Sequence, residues 1–277
     1  MADLEYDDII KAALAEDMPR GDITTESIVP KGAVSKAILL AKEDGVLAGL
    51  PLARRVFEIL DPRITFEDAR QDGSAFRSGE TLARLEGPTI GLLEGERTAL
   101  NFLQRLSGIA TATSRFAEAV AGTKAKILDT RKTTPGLRLL EKYAVRMGGG
   151  TNHRLGLSDM VLIKDNHLRY VGSIFEAVCR VRDHAPAGAK IEVEVTDLDE
   201  AAKALAAKPD IVMLDNMSLT DIRSVVTMYA GRIPIEVSGK VTLDRARELA
   251  AIGVDFISVG SLTHSSKAVD ISLEFLN

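Results

Sequence analysis

Tryptophan is absent from this chain of 277 residues, and cysteine occurs once, at Cys179. A lone thiol closes no internal disulfide and makes no metal-thiolate spacing, so a disulfide scaffold and a thiolate metal site are both excluded. Cys179 falls in the helical pattern IFEAVCRV and reads as a small core hydrophobe. Long hydrophobic runs are also missing, with no window near the ~18 apolar residues of a membrane span. The opening MADLEYDD is acidic where a secretory leader would be basic, so the expectation is a cytoplasmic protein without a membrane partner. Positive charge is in deficit, 35 Lys and Arg against 40 Asp and Glu for a net charge of -5, which argues against a nucleic-acid partner. Apolar residues at 45% and charged residues at 27% are those of an ordinary globular protein, which excludes disorder and low complexity.

What is present fills about two domains, or one α/β barrel of roughly 250 residues with an appendage. Residues 5–16 (EYDDIIKAALAE) carry Ile9, Ile10, Ala13 and Leu14 at helical spacing and stop before the Met18-Pro19-Arg20-Gly21-Asp22 turn. From about residue 23 to 90, runs such as AVSKAILLAKEDGVLAG and TLARLEG predict short strands, with a Pro-led helix at 51–60 (PLARRVFEIL). The apolar-periodic stretch 92–120 predicts two helices broken near Ser107-Gly108, and the domain boundary is placed at that break. The expectation is an N-terminal α+β sandwich-like domain over 1–107, joined by the tail 265–277, and a catalytic domain over 108–264.

Beyond residue 120, short β-branched runs alternate with amphipathic helices. The candidate strands are 125–128 (AKIL), 160–163 (MVLI), 190–195 (KIEVEV), 210–214 (DIVML), 233–237 (IPIEV) and 255–259 (DFISV). Repeating βα units predict a parallel sheet, and closing it into a barrel removes its edges. Six or seven strands fall short of eight, so the fold class is α/β with an incomplete C-terminal parallel βα barrel.

Polar residues collect at the C-terminal ends of these strands. Asp129, Arg131 and Lys132 follow the first; Lys164 and Asp165 follow the second; Glu194 ends the third; Asp215 and Asn216 follow the fourth; Ser238, Gly239 and Lys240 the fifth; Gly260 and Ser261 the last. In a βα barrel all of these ends open on one face, where such folds keep their chemistry, and short glycine-containing loops there make phosphate cradles. The stretch Asp129–Arg169 holds eight Lys and Arg against four Asp and Glu, an excess of +4, so the rest of the chain sums to -9. A basic pocket in an acidic body is the signature of a site for small anions. Glu194 lies inside the otherwise apolar strand KIEVEV, and such a carboxylate must be paired or functional. Glu192 shares its alternation face, and the spacing does not choose between them. Asp215 reads either as a site residue or as a helix N-cap, and Ser218 with Asp221 as a cap pair. His184 and His264 are assigned no chemistry.

The blocks DTRKTTPGLR, GGGTNHRLGL, LIKDNH, IEVEV, MLDNM and VGSLTHS resemble, in this order, the signature segments of the quinolinate phosphoribosyltransferase family. So do EDMPRGDITT at 16–25 and ERTALNFLQRLSGIAT at 96–111, so that the resemblance runs from end to end. It implies phosphoribosyl transfer from phosphoribosyl pyrophosphate to quinolinate, giving nicotinate mononucleotide, CO2 and pyrophosphate on the route to NAD. It also implies a homodimer or higher oligomer, with the active site shared between subunits. Within the motifs it assigns Arg131, Arg154 and His153, with Thr130 beside them and Arg97 from the partner subunit, to quinolinate, whose paired carboxylates suit guanidinium forks. Lys132 and Lys164 fall to the pyrophosphate. Glu194 and Asp215 fall to the ribose and to Mg2+, held directly or through water, and Lys132, Glu194 and Asp215 form the catalytic set. Ser238, Gly239 and Lys240 with Val259, Gly260 and Ser261 fall to the 5′-phosphate. The family's fifth loop reads Ser-Gly-Gly where this chain has Ser238-Gly239-Lys240; a lysine there is strained if its φ is positive, and adds a cation in either case. Competing readings are a sister family associated with molybdate transport, a Schiff-base lyase using Lys164 or Lys240, and a non-catalytic dicarboxylate-binding protein.

Overall fold

The chain divides into two units in the computed structural model, which describes residues 6–229 and 231–276. One unit takes the chain up to Ser114, Thr133–Gly149 and the residues from Thr263 onward. The other takes Arg115–Lys132 and Gly150–Leu262.

The first unit opens with α1 (Asp7–Asp17), α2 (Ile23–Ile28), β1 (Val34–Ala41), β2 (Gly45–Val46) and α3 (Leu50–Leu60). It continues through β3 (Thr65–Asp68), β4 (Ala75–Phe76), β5 (Thr81–Pro88) and α4 (Thr89–Ala119), whose last five residues count with the second unit. The short α2, absent from the sequence reading, exists because the Asp22 carboxylate accepts the Thr24 and Thr25 N–H groups at 3.0 Å. α4 is unbroken over 31 residues, which corrects the predicted interruption at Ser107-Gly108. A Cβ at Gly108 would lie 2.0 Å from the Lys267 carbonyl oxygen, so this glycine serves a close backbone approach and leaves the helix intact.

The second unit begins with β6 (Lys126–Leu128), after which α5 (Arg138–Met147) belongs to the first unit. The alternation then runs β7 (Val161–Ile163), α6 (Asp165–Val171), α7 (Ile174–His184), β8 (Ile191–Val195), α8 (Leu198–Ala207), β9 (Ile211–Asp215), α9 (Leu219–Tyr229), β10 (Ile235–Ser238), α10 (Leu243–Ile252), β11 (Phe256–Ser258) and α11 (Ser261–His264). The last strand, β12 (Ile271–Leu276), pairs with β1 in an antiparallel sheet of order β12-β1-β5-β3.

The six barrel strands pair in the order β6-β11-β10-β9-β8-β7, with parallel registers throughout. β6 and β7 are the two ends of this sheet, so the barrel is incomplete and all strand C-termini face one way. Val193, Val195, Val212, Leu214, Val237 and Ile257 are fully buried; alternating along their strands with Glu194, Met213, Glu236 and Ser258, which line the cavity at the strand ends, they point to the outer face of the sheet, toward the helices. Its helices start where side chains accept free N–H groups: Ser173 before α7, Asp197 before α8, Ser218 before α9 and Thr242 before α10. Each such cap is worth about 1 kcal/mol.

Candidate active site

The C-terminal ends of the strands enclose a cavity of about 530 Å³, within the range that small-molecule sites occupy. Thr130, Arg131 and Lys132 reach it from the end of β6, Lys164 and Glu194 from β7 and β8, Asp215 and Asn216 from β9, and Ser238, Gly239 and Lys240 from β10. His153 and Arg154 come from the segment before β7. Asp129, fully buried, fixes that segment beside β6: its carboxylate accepts the His153 N–H at 2.9 Å and the Asn152 amide at 2.5 Å.

Arg154 Nη1 donates to the Met160 carbonyl at 3.0 Å. Burial, and the charge of Arg131 beside it, hold its pKa below the usual guanidinium value. Two guanidinium groups close enough to repel make an arrangement that an intervening dianion relieves. Lys164 Nζ donates to Glu194 Oε2 at 2.6 Å. Its amine head is thus engaged by a carboxylate and not presented free to a carbonyl, which disfavours the Schiff-base reading at this lysine.

Gly239 has φ +100°, and a Cβ on it would lie 2.2 Å from the Asn216 side-chain oxygen. Asn216, itself at φ +54°, donates its N–H to the Ser238 carbonyl at 3.1 Å and its amide to Asp215 Oδ2 at 2.8 Å. Lys240 follows at φ +44° and is exposed, so the departure from Ser-Gly-Gly places a strained lysine at the cavity mouth. Val259, Gly260 and Ser261 follow β11 just beyond Ser258, which lines the cavity. Arg97 is exposed on α4 in the first unit.

The open choice between Glu192 and Glu194 is resolved by depth. Glu194 faces the cavity, whereas Glu192 is wholly buried beneath it, with Oε2 at 3.0 Å from His153 Nε2. Glu236 lies beside it, also wholly buried, at 3.4 Å from the same nitrogen, and accepts a hydrogen bond from the Ser258 hydroxyl. The sequence reading missed Glu236, although IPIEV carries the signal that singled out Glu194, a carboxylate in an apolar strand. Burial pushes the Glu192 carboxyl up to about 7, with the charge of Glu236 adding to it and His153 opposing. At His153 burial works against the imidazolium, but the bonds and charges of the two glutamates outweigh it and would lift its pKa to about 9. The Arg154 N–H, 2.8 Å from Nδ1, opposes that second proton, because Nδ1 must keep its lone pair to accept. The geometry is that of the Nε2–H tautomer, with both ring nitrogens engaged by protein groups.

Glu194 and Asp215 stand at the ends of neighbouring strands and offer hard oxygen donors. Among the described residues the group of three close ligand atoms is His153, Glu192 and Glu236, so no third ligand completes a cage around that pair. Two carboxylates without a cage fit an ion that takes its other ligands from water and phosphate, as Mg2+ does. A larger groove of about 740 Å³ lies between α6, α7 and α8. Its lining sets Arg169 and Lys203 against Asp165, Glu194 and Glu200, so it lacks the excess of positive charge that marks the strand-end cavity.

An incomplete parallel βα barrel whose strand ends gather five cations and three acids around one cavity defines an enzyme for small anionic substrates. The quinolinate phosphoribosyl transferase N-terminal domain matches residues 22–107 and the C-terminal domain matches residues 109–274, and the chain belongs to this family. It is 44% identical over 285 residues to the nicotinate-nucleotide pyrophosphorylase [carboxylating] of Mycobacterium leprae, covering 99% of each chain. The crystal structure of NadC from Streptococcus pyogenes is 46% identical with a TM-score of 0.94, covering 99% of this chain and 98% of that one. That of the nicotinate-nucleotide pyrophosphorylase from Ehrlichia chaffeensis is 39% identical with a TM-score of 0.95, covering 99% and 100%. Among the described residues no helix is long and apolar enough to cross a membrane.

Proposed function

We infer that this chain transfers the phosphoribosyl group of phosphoribosyl pyrophosphate to the ring nitrogen of quinolinate with decarboxylation, releasing nicotinate mononucleotide, CO2 and pyrophosphate, in NAD biosynthesis. The observation that carries this reading is the gathering of Arg131, Lys132, Arg154 and Lys164 with Glu194 and Asp215 around a single cavity. Arg131 and Arg154 hold the two adjacent carboxylates, for which planar forks are suited. His153 forms the floor behind them. Lys132 and Lys164 draw the pyrophosphate, and Ser238, Gly239 and Lys240, with Val259, Gly260 and Ser261, receive the 5′-phosphate.

As the bond to pyrophosphate breaks, positive charge grows at the anomeric carbon, and the carboxylates of Glu194 and Asp215 stabilise it. The same two residues would hold Mg2+, which when bound neutralises phosphate oxygens. Once alkylated, the ring nitrogen is cationic, and its charge stabilises the electron pair that stays on the adjacent ring carbon as the carboxylate leaves as CO2; that carbon then takes up a proton. The protein's contribution is position and field. Release of labelled CO2 from carboxyl-labelled quinolinate, dependent on phosphoribosyl pyrophosphate, tests the reaction; binding without release would leave a dicarboxylate-binding protein.

We further propose a homodimer in which Arg97 reaches the partner's cavity. Mixing Arg97→Ala subunits with Lys132→Ala subunits should then restore activity through one intact composite site, and absence of rescue counts against sharing. The single cysteine suits a reducing compartment, and we place the enzyme in the cytoplasm.

A further inference from the structure

Glu192 and Glu236 have no part in the chemistry described so far, yet they are two wholly buried carboxylates at a site for anions, Glu236 in its wall and Glu192 behind it. Left to itself, a buried carboxylate disfavours both folding and anion binding, so its retention calls for a partner. For Glu192 that partner is His153. Nε2–H of the imidazole points to Glu192 Oε2 at 3.0 Å, and on the opposite side of the ring Nδ1 accepts the backbone N–H of Arg154 at 2.8 Å. The ring therefore joins a rigid barrel strand to the backbone of a cavity arginine. The His153 N–H is held by Asp129 at 2.9 Å, in a loop segment that meets the β6 stretch through the Thr151 N–H to the Ile127 carbonyl at 2.8 Å and the Asp129 N–H to the Thr151 carbonyl at 3.2 Å. Glu192 does not line the cavity and cannot touch substrate.

We propose that Glu192 is a positioning residue for quinolinate recognition: through His153 it sets the backbone of Arg154, and so the direction of the guanidinium that receives a ring carboxylate. Glu236, held by the Ser258 hydroxyl, closes the other side of Nε2 and keeps the ring from rotating away. Lys164 and the Ser238–Lys240 loop stand outside this linkage, so its loss falls on one substrate and not on the other. The proposal rests on the reading of the cavity as the quinolinate site.

Glu192→Leu removes the acceptor at similar volume in an apolar strand, and Glu192→Gln retains a carbonyl that can accept Nε2–H. Losing one buried acceptor predicts that Glu192→Leu raises the quinolinate KM about tenfold or more. The KM for phosphoribosyl pyrophosphate should stay within about twofold of wild type, and Glu192→Gln should restore most of the loss. If Glu192→Leu shows no cooperative unfolding transition, Glu192→Met replaces it, an unbranched side chain of similar length without a carboxylate to accept Nε2–H; the same selective rise is expected. An unchanged quinolinate KM, an equal rise for both substrates, or a glutamine variant as impaired as the leucine one overturns the proposal. Calorimetric titration with quinolinate runs alongside. Binding to wild type without turnover would sink the activity reading and still measure the effect of Glu192, while a wild type that does not bind quinolinate would sink both.

Discussion

The two ends of the barrel strands use the same residue types for opposite purposes. At the N-terminal end, Asp210 accepts the Ile191 N–H at 2.8 Å and Asp255 accepts the Ile235 N–H at 2.9 Å, each closing a strand start that would otherwise leave a donor unmet. Asp255 also takes Lys124 Nζ at 2.7 Å. At the C-terminal end, Glu194 and Asp215 face a cavity and hold a lysine and an asparagine side chain. An aspartate near a barrel strand is thus a structural or a chemical group according to which end it marks. The first kind satisfies backbone, and the second stands among cations that await a ligand.

Substitutions at the two ends should therefore separate stability from activity. The largest effect is expected at the cavity: Lys132→Ala should lower turnover by about 10²–10³-fold, the loss typical of one charged transition-state contact, with the thermal midpoint unchanged. Glu194→Gln should likewise fold normally and lose activity, and an unfolded protein would move Glu194 to the structural side. At the opposite end, Asp255→Ala should cost about 1–3 kcal/mol of stability by stranding the Ile235 N–H, with kcat/KM intact at temperatures where the fold persists; a matching fall in kcat/KM would break the division. Smaller still is Lys240→Gly. Relief of a left-handed lysine outweighs the added freedom of the unfolded chain by about 0.5 kcal/mol, while the KM for phosphoribosyl pyrophosphate rises a few-fold. A variant both less stable and unchanged in KM would show that the loop keeps its lysine for packing.

A last, subtler test concerns pH. Glu192 has its folded-state pKa raised to about 7, above the ordinary carboxylate value of 4.5. The folded chain therefore binds more protons than the unfolded one in that interval, and stability is lost as pH rises from about 4.5 through 7. Urea midpoints across this window should show that slope, and Glu192→Gln should flatten it.

Most of the barrel was legible because its strands are β-branched runs bounded by polar residues, and because those residues fall on one side of every run. Depth was not legible. Glu192 and Glu194 share a face of one strand in the sequence, and only the neighbours supplied by β10 and by the segment around His153 divide a buried anchor from a cavity acid. α6 was missed for a related reason: none of its residues is buried, so KDNHLRYV has no apolar period, and its start depends on His167 Nδ1 accepting the Lys164 N–H at 2.9 Å. Ser107-Gly108 misled in the other direction, since a small pair inside a helical pattern signals a break just as readily as it signals a neighbour pressed close.

The pairing of β12 with β1 sets an order of events during synthesis. Residues 271–276 supply the hydrogen bonds along one side of residues 36–41, so a nascent chain emerging from the ribosome carries that flank of its first long strand open until residues 271–276 have been made. An exposed strand flank is a template for pairing with other chains. Shortened products ending before Ile271 should therefore be retrieved from cells as aggregates, even though every residue of the barrel cavity is present in them.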